Sequence, residues 1–132
     1  VSHPHQPVRL ILDKSAILAY LAGIVHASEP VHEVVTDGVM FGIPSVTAAE
    51  CLTEVTDPFD RQLLIGLLQH PSCQPLDTPG EVWHELGYWR QMTGRPDLAV
   101  CAQAAVDYDA PILTGEAKLY GEHLPLIEIP EA

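Results

Sequence analysis

Asp13 directly follows the apolar run Val8-Arg9-Leu10-Ile11-Leu12, and Glu116 stands two residues beyond Ile112-Leu113-Thr114. Asp97 follows Arg95-Pro96 at the start of the apolar stretch Leu98 to Val106. Glu50 lies one turn into the segment opened by Thr47-Ala48-Ala49. Carboxylates gathered in one place repel one another and protonate unless a cation neutralises them. Their hard oxygen donors favour Mg²⁺ or Mn²⁺ over zinc. Ions of that kind activate a water and stabilise the charge that develops on a phosphoryl group during in-line attack. A shared edge for these four acids therefore predicts the chemistry of a metal-dependent nuclease.

Each acid also has a purely structural use. Asp13 suits the cap of a helix beginning at Lys14, and Asp97 the cap of one beginning at Leu98. Thr47-x-x-Glu50 matches a capping box, and Glu116 favours the macrodipole of a short helix. The joint placement of the four is what favours a site. Among the six basic residues, Lys14 adjoins Asp13, Arg95 precedes Asp97 by two, and Lys118 follows Glu116 by two. They read either as a phosphate-contacting rim or as ordinary surface ion pairs, which contribute little.

The elements that must position these groups follow from the apolar pattern. Val8–Leu12 reads as a buried strand, and Ser15–Ala22 as a helix closed by Gly23. Val31, Val34, Val35 and Val39 recur at helical spacing after Ser28-Glu29-Pro30. Ile43–Val46 reads as a brief strand leading into a helix at Thr47. Asp57 to His70 gives another helix, with Leu63, Leu64, Leu67 and Leu68 on its buried face. Cys73–Leu76 is a strand candidate, and Val82, Leu86 and Trp89 mark a helix that stops near Gly94. Leu98–Val106 is apolar almost all round, hence a buried helix. Ala110–Thr114 and Leu126–Ile129 are the last strands. Short apolar strands alternating with helices predict a three-layer α/β/α fold around a mainly parallel sheet. In such a sheet ligands bind beyond the carboxyl ends of the strands, where the four acids are expected.

At 132 residues with 47% hydrophobic composition, the chain is expected to form one domain over residues 1–132, with residues 1–7 as a flexible N-terminus. Three cysteines without C-x-x-C spacing exclude a zinc ribbon and a complete disulfide framework, and suit a reducing compartment. No secretion signal or membrane-spanning stretch is visible, so a cytoplasmic location is expected. The net charge of −12 excludes a duplex-coating protein; nucleic acid would have to be held locally, through metal ions. P-loop, Rossmann and hydrolase-elbow motifs are absent. His84-Glu85-Leu86-Gly87-Tyr88 opens like a zincin helix but has Tyr88 in place of the second histidine. Cys101 reads as core, and Trp83 and Trp89 as helix packing or an interface.

Leu10-Ile11-Leu12-Asp13-Lys14-Ser15-Ala16 and Pro44-Ser45-Val46-Thr47-Ala48-Ala49-Glu50 together resemble the opening of PIN-domain proteins of the VapC-toxin kind. Asp97-Leu98-Ala99-Val100-Cys101-Ala102, followed by Ala110-Pro111-Ile112-Leu113-Thr114-Gly115-Glu116, resembles their second half. The resemblance implies that Asp13, Glu50, Asp97 and Glu116 bind Mg²⁺ or Mn²⁺ in an endoribonuclease, the toxin of a toxin–antitoxin pair. Lys14, Ser15, Arg95, Thr114 and Lys118 are then expected to face the RNA. It also implies a homodimer and an antitoxin partner, and an acid-lined pocket on a chain of net charge −12 suits a basic contacting segment on that partner. Two departures stand out: Glu116 occupies a position where the family usually has Asp, and Lys14 one where it prefers a small hydroxyl residue. Lys14 would either grip a phosphate or fill the pocket and exclude the metal. The alternative reading is a catalytically silent PIN-like module that acts through protein–protein interaction.

Overall fold

The computed structural model describes residues 7–130. Five strands form one sheet: β1 (Val8–Leu12), β2 (Met40–Pro44), β3 (Cys73–Leu76), β4 (Ile112–Thr114) and β5 (Leu126–Glu128). Their order is β3-β2-β1-β4-β5, and every neighbouring pair is parallel. The chain builds outward from β1 to β3, then returns to lay β4 on the other side of β1. The topological switch thus falls between β1 and β4, the crevice where open parallel sheets place their ligands.

Six helices cover the sheet: α1 (Lys14–Leu21), α2 (Val25–Thr36), α3 (Ser45–Glu54), α4 (Pro58–Leu68), α5 (Trp83–Thr93) and α6 (Pro96–Tyr108). Leu10, Leu12 and Leu113 point to one face, where they meet Ala16 and Ile17 of α1, Val31 and Val34 of α2 and Leu64 of α4. Ile11 and Ile112 point to the other, against Leu98, Cys101, Ala102 and Ala105 of α6. The period-two alternation of the central strands therefore feeds two separate cores, one for each outer layer. Leu10, Ile11 and Leu12 are at most 2% exposed, and burying each contributes on the order of 2 kcal/mol. A one-residue slip of β1 would exchange the two sets of side chains between layers. That register delivers Asp13 to the end of the strand.

The expected three-layer fold is present, with corrections at element edges. The strand anticipated at Ile43–Val46 is Met40–Pro44, and the following helix starts at Ser45 rather than Thr47. Gly42 hid the strand by interrupting its apolar run. A Cβ there would lie 2.6 Å from Leu76 Cδ1 and 3.1 Å from Val8 Cγ1, so the missing side chain is what lets the three strands pack closely. In α4 only Leu64 and Leu67 are fully inward; Leu68 is half-buried and Leu63 is 42% exposed. Of the N-terminal segment expected to be flexible, only Pro7 lies among the described residues, and its carbonyl accepts a hydrogen bond from Met40 N. Among the described residues, no helix is long and apolar enough to cross a membrane.

Candidate functional site

Asp13 stands at the carboxyl end of β1 with 0% exposure. It caps α1: Oδ1 accepts from Ala16 N at 2.9 Å and from Ser15 Oγ at 2.7 Å. Oδ2 accepts from the Tyr120 hydroxyl at 2.8 Å. Ser15 Oγ in turn accepts from Gly115 N at 2.8 Å and lies 3.4 Å from Thr114 Oγ1, which accepts from Glu116 N at 2.8 Å. The ends of β1 and β4 are thus tied by a hydroxyl network around one carboxylate. Burial raises the Asp13 pKa above its ordinary range, while the surrounding hydroxyls and the Ala16 N–H pull the other way. Burial likewise drives the Tyr120 hydroxyl upward, keeping it protonated as a donor.

Asp97 and Glu116 are held differently. Arg95 Nε and Nη2 reach Asp97 at 3.1 and 2.9 Å, and Nη1 and Nη2 reach Glu116 at 2.8 and 3.1 Å. One guanidinium therefore forks onto two carboxylates, the bidentate geometry for which arginine is suited. The Asp97 side chain is 7% exposed, against 35% for Arg95 and 30% for Glu116. Burial pushes the Asp97 carboxyl up, but the hydrogen bonds and charge of Arg95 outweigh it and hold the group below its ordinary value. Asp97 is not a helix cap: the cap position of α6 is Arg95, followed by Pro96 in the first turn.

Among the described residues, Lys14, Glu50 and Lys118 make no side-chain hydrogen bond to Asp13, Asp97 or Glu116, although the charge of Lys14 helps to lower the Asp97 pKa. Lys14 Nζ pairs with Glu54 Oε2 at 2.9 Å, an acid that the sequence did not single out. That hydrogen bond raises the Lys14 pKa, with burial opposing it. Glu50 is exposed on α3 and, among the described residues, is not gathered with two other His, Cys, Asp or Glu side chains that could hold a metal. The capping box does not form, because Thr47 lies inside α3 and is fully buried. Its hydroxyl instead packs 3.3 Å from Cys101 Sγ and 3.5 Å from the Asp97 carbonyl, joining α3 to α6. Lys118 is exposed in a 3-10 turn, Ala117–Tyr120, beside a cleft that Glu116 and Glu128 also line. Cys101 is core, its thiol pushed up by burial. Trp89 packs on the α6 side, whereas Trp83 is 71% exposed.

Tyr120 is the functional candidate that sequence reasoning missed. Its partner is 107 residues away, and no local spacing marks it. Carboxylate oxygen is the right donor chemistry for Mg²⁺ or Mn²⁺. The arrangement nonetheless does not fit such an ion. Among the described residues no three His, Cys, Asp or Glu side chains are grouped to hold a metal, and Arg95 already supplies the positive charge between Asp97 and Glu116.

No protein-family model and no curated protein matches the sequence. The fold does have solved counterparts. A chain in the crystal structure of VapBC2 from Rickettsia felis, bound to a DNA fragment from their promoter, superposes with a TM-score of 0.68 at 14% identity, covering 90% of this chain and 97% of that one. A chain in the crystal structure of FitAcB from Neisseria gonorrhoeae gives a TM-score of 0.60 at 12% identity, covering 90% and 96%. Identities this low speak to architecture alone. Together with the all-parallel five-stranded sheet and its two helical layers, they establish a PIN-like fold resembling the VapC type.

Proposed function

We propose that the protein is an endoribonuclease of the toxin–antitoxin kind, working at the carboxyl ends of β1 and β4. One observation carries this reading: Asp13 is wholly buried at the topological switch of the sheet. Helix capping alone does not require that. Asp57 caps α4 by accepting from Asp60 N at 3.0 Å, and it does so from an exposed position. Burying a carboxylate is costly, and the network of Ser15, Thr114 and Tyr120 is built around holding one in place. The likeness to VapBC2 and FitAcB supports the toxin–antitoxin assignment.

In this reading Asp13, Glu50, Asp97 and Glu116 would be the acids that supply oxygen donors to Mg²⁺ or Mn²⁺, an ion their present arrangement does not accommodate, and Lys14, Ser15, Arg95, Thr114 and Lys118 would face the RNA. The same reading includes a cytoplasmic location, a homodimer, and an antitoxin that presents a basic segment to the acidic edge. The test is RNA cleavage in Mn²⁺ by wild type and Asp13→Asn, with circular dichroism to confirm folding. Loss of about a hundredfold in rate is expected. Equal cleavage by the two proteins would show that the activity lies elsewhere.

A second reading, a catalytically silent module acting through protein contacts, is favoured by the Arg95 fork and by the Lys14–Glu54 pair. Folded wild-type protein that cuts no RNA in Mn²⁺ is the result it predicts.

A further inference from the structure

Trp83, Leu86, Gly87 and Arg90 recur at i, i+3, i+4 and i+7, and so share one face of α5. That face lines a groove of about 400 Å³, completed by Val46 of α3 and Val100 of α6. Trp83 is 71% exposed, a large apolar group that gains by being covered. A Cβ on Gly87 would meet no atom within 4 Å, so the space over this residue is open. Arg90 brings the groove its one charge, and no acid lines it. Arg9, Lys14 and Arg95 each pair with a carboxylate, and Arg61 donates to the Leu52 and Val55 carbonyls. Among the described residues Arg90 forms no ion pair, although the chain has 18 acids against 6 bases.

Pockets for small molecules span about 300–1,000 Å³ and are mostly apolar, with a few polar groups that fix orientation. We infer that the α5 groove is a binding site for an organic anion with an apolar body. Rings or alkyl carbons would lie over Leu86, Gly87 and Val100 beside the Trp83 indole. A carboxylate or sulfonate would meet the Arg90 guanidinium, whose planar fork matches paired oxygens. Charge selects the class: an uncharged apolar molecule gains nothing from Arg90, and a cation is repelled by it. Binding there does not depend on the nuclease reading.

Fluorescence titration with two probes of one ring system tests the site: anilinonaphthalene sulfonate and its uncharged parent, phenylnaphthylamine. Wild type should bind both. Arg90→Gln should weaken the sulfonate about tenfold, the worth of a hydrogen bond to a charged group, and leave the uncharged probe unaffected. Gly87→Leu fills the groove and should abolish both; it should keep its fold, because leucine is the better helix former. Phe59→Ala, which removes an exposed apolar residue of α4, should bind both probes as wild type does. Circular dichroism checks each fold, and sedimentation velocity at the same concentrations reports self-association. Equal sulfonate affinity in wild type, Arg90→Gln and Gly87→Leu would put the dye elsewhere and overturn the site. Equal weakening of both probes by Arg90→Gln would overturn the preference for an anion. A wild type that binds neither probe overturns the proposal too, and dissociation of a wild-type dimer by Trp83→Ala would then give the groove to a second copy.

Discussion

Asp13 and Asp97 are both buried carboxylates at the same edge of the sheet, and the fold satisfies them by opposite means. Asp13 is surrounded by neutral donors and has its pKa raised; Asp97 faces a guanidinium and has its pKa lowered. Neutral donors can be supplied by whatever elements converge on a point, here β1, β4 and the turn that carries Tyr120. A guanidinium reaches its target on its own long side chain, and Arg95 is only two residues from Asp97. The first arrangement is rigid and depends on topology. The second is local, and its guanidinium is one-third exposed.

The largest expected effect that would break this contrast is on Asp97. Repulsion within an acidic pocket would make Asp97→Asn stabilising in metal-free protein. The Arg95 fork reverses that expectation: the variant loses charge-assisted hydrogen bonds and should be less stable by about 1.5 kcal/mol at neutral pH. Urea denaturation measures it. An unchanged midpoint would mean that the fork contributes nothing to the fold.

Asp13→Asn should behave differently, and pH brings out the difference. A folded pKa above 3.8 means that, just above pH 3.8, folded wild type keeps a proton that the unfolded chain has released. Wild-type stability from this group therefore falls as pH rises through the folded pKa. The Asn variant carries no such loss, so its stability relative to wild type should improve as pH rises from 3.8 through the higher folded pKa of Asp13. Asp97 acts in the other direction, contributing fully above pH 3.8 and losing its contribution as pH falls toward its lower folded value. Thermal melts across the range decide the matter; parallel curves for wild type and Asp13→Asn would refute the penalty assigned to burial.

The smallest effect concerns Lys14. Its partner Glu54 is 48% exposed, so Lys14→Ala should change stability by no more than about 0.5 kcal/mol. A loss several times larger would place Lys14 inside the charge network of Asp97 rather than beside it.

The sequence exposed the parts of this design that repeat along the chain and hid those that depend on distance. Leu10, Ile11, Leu12 and the apolar faces of α1 and α6 announce themselves by periodicity, and with them the parallel sheet and the position of Asp13. Gly42 concealed half of β2, because a glycine required by close packing looks in sequence like a break. The three acids Asp13, Asp97 and Glu116 were legible from their places at strand and helix ends. That Arg95 would join two of them was not: three basic residues stood near the acids, and sequence alone could not say which carboxylate each would meet. Tyr120 and Glu54 were invisible for the same reason, since each is defined by a partner far away in the chain.

Tyr120 also sets the order in which the site is completed during synthesis. Asp13 leaves the ribosome about a hundred residues before Gly115 and Tyr120, whose sequence separations from Ser15 and Asp13 are 100 and 107. At translation rates of about 5–20 residues per second, that gap lasts roughly 5–20 s. Throughout it the carboxylate has no strand β4 beside it and stays hydrated and ionised. The nascent chain thus carries the acid unenclosed while the intervening hundred or so residues are made, and the enclosure closes only after β4 and its following turn have emerged.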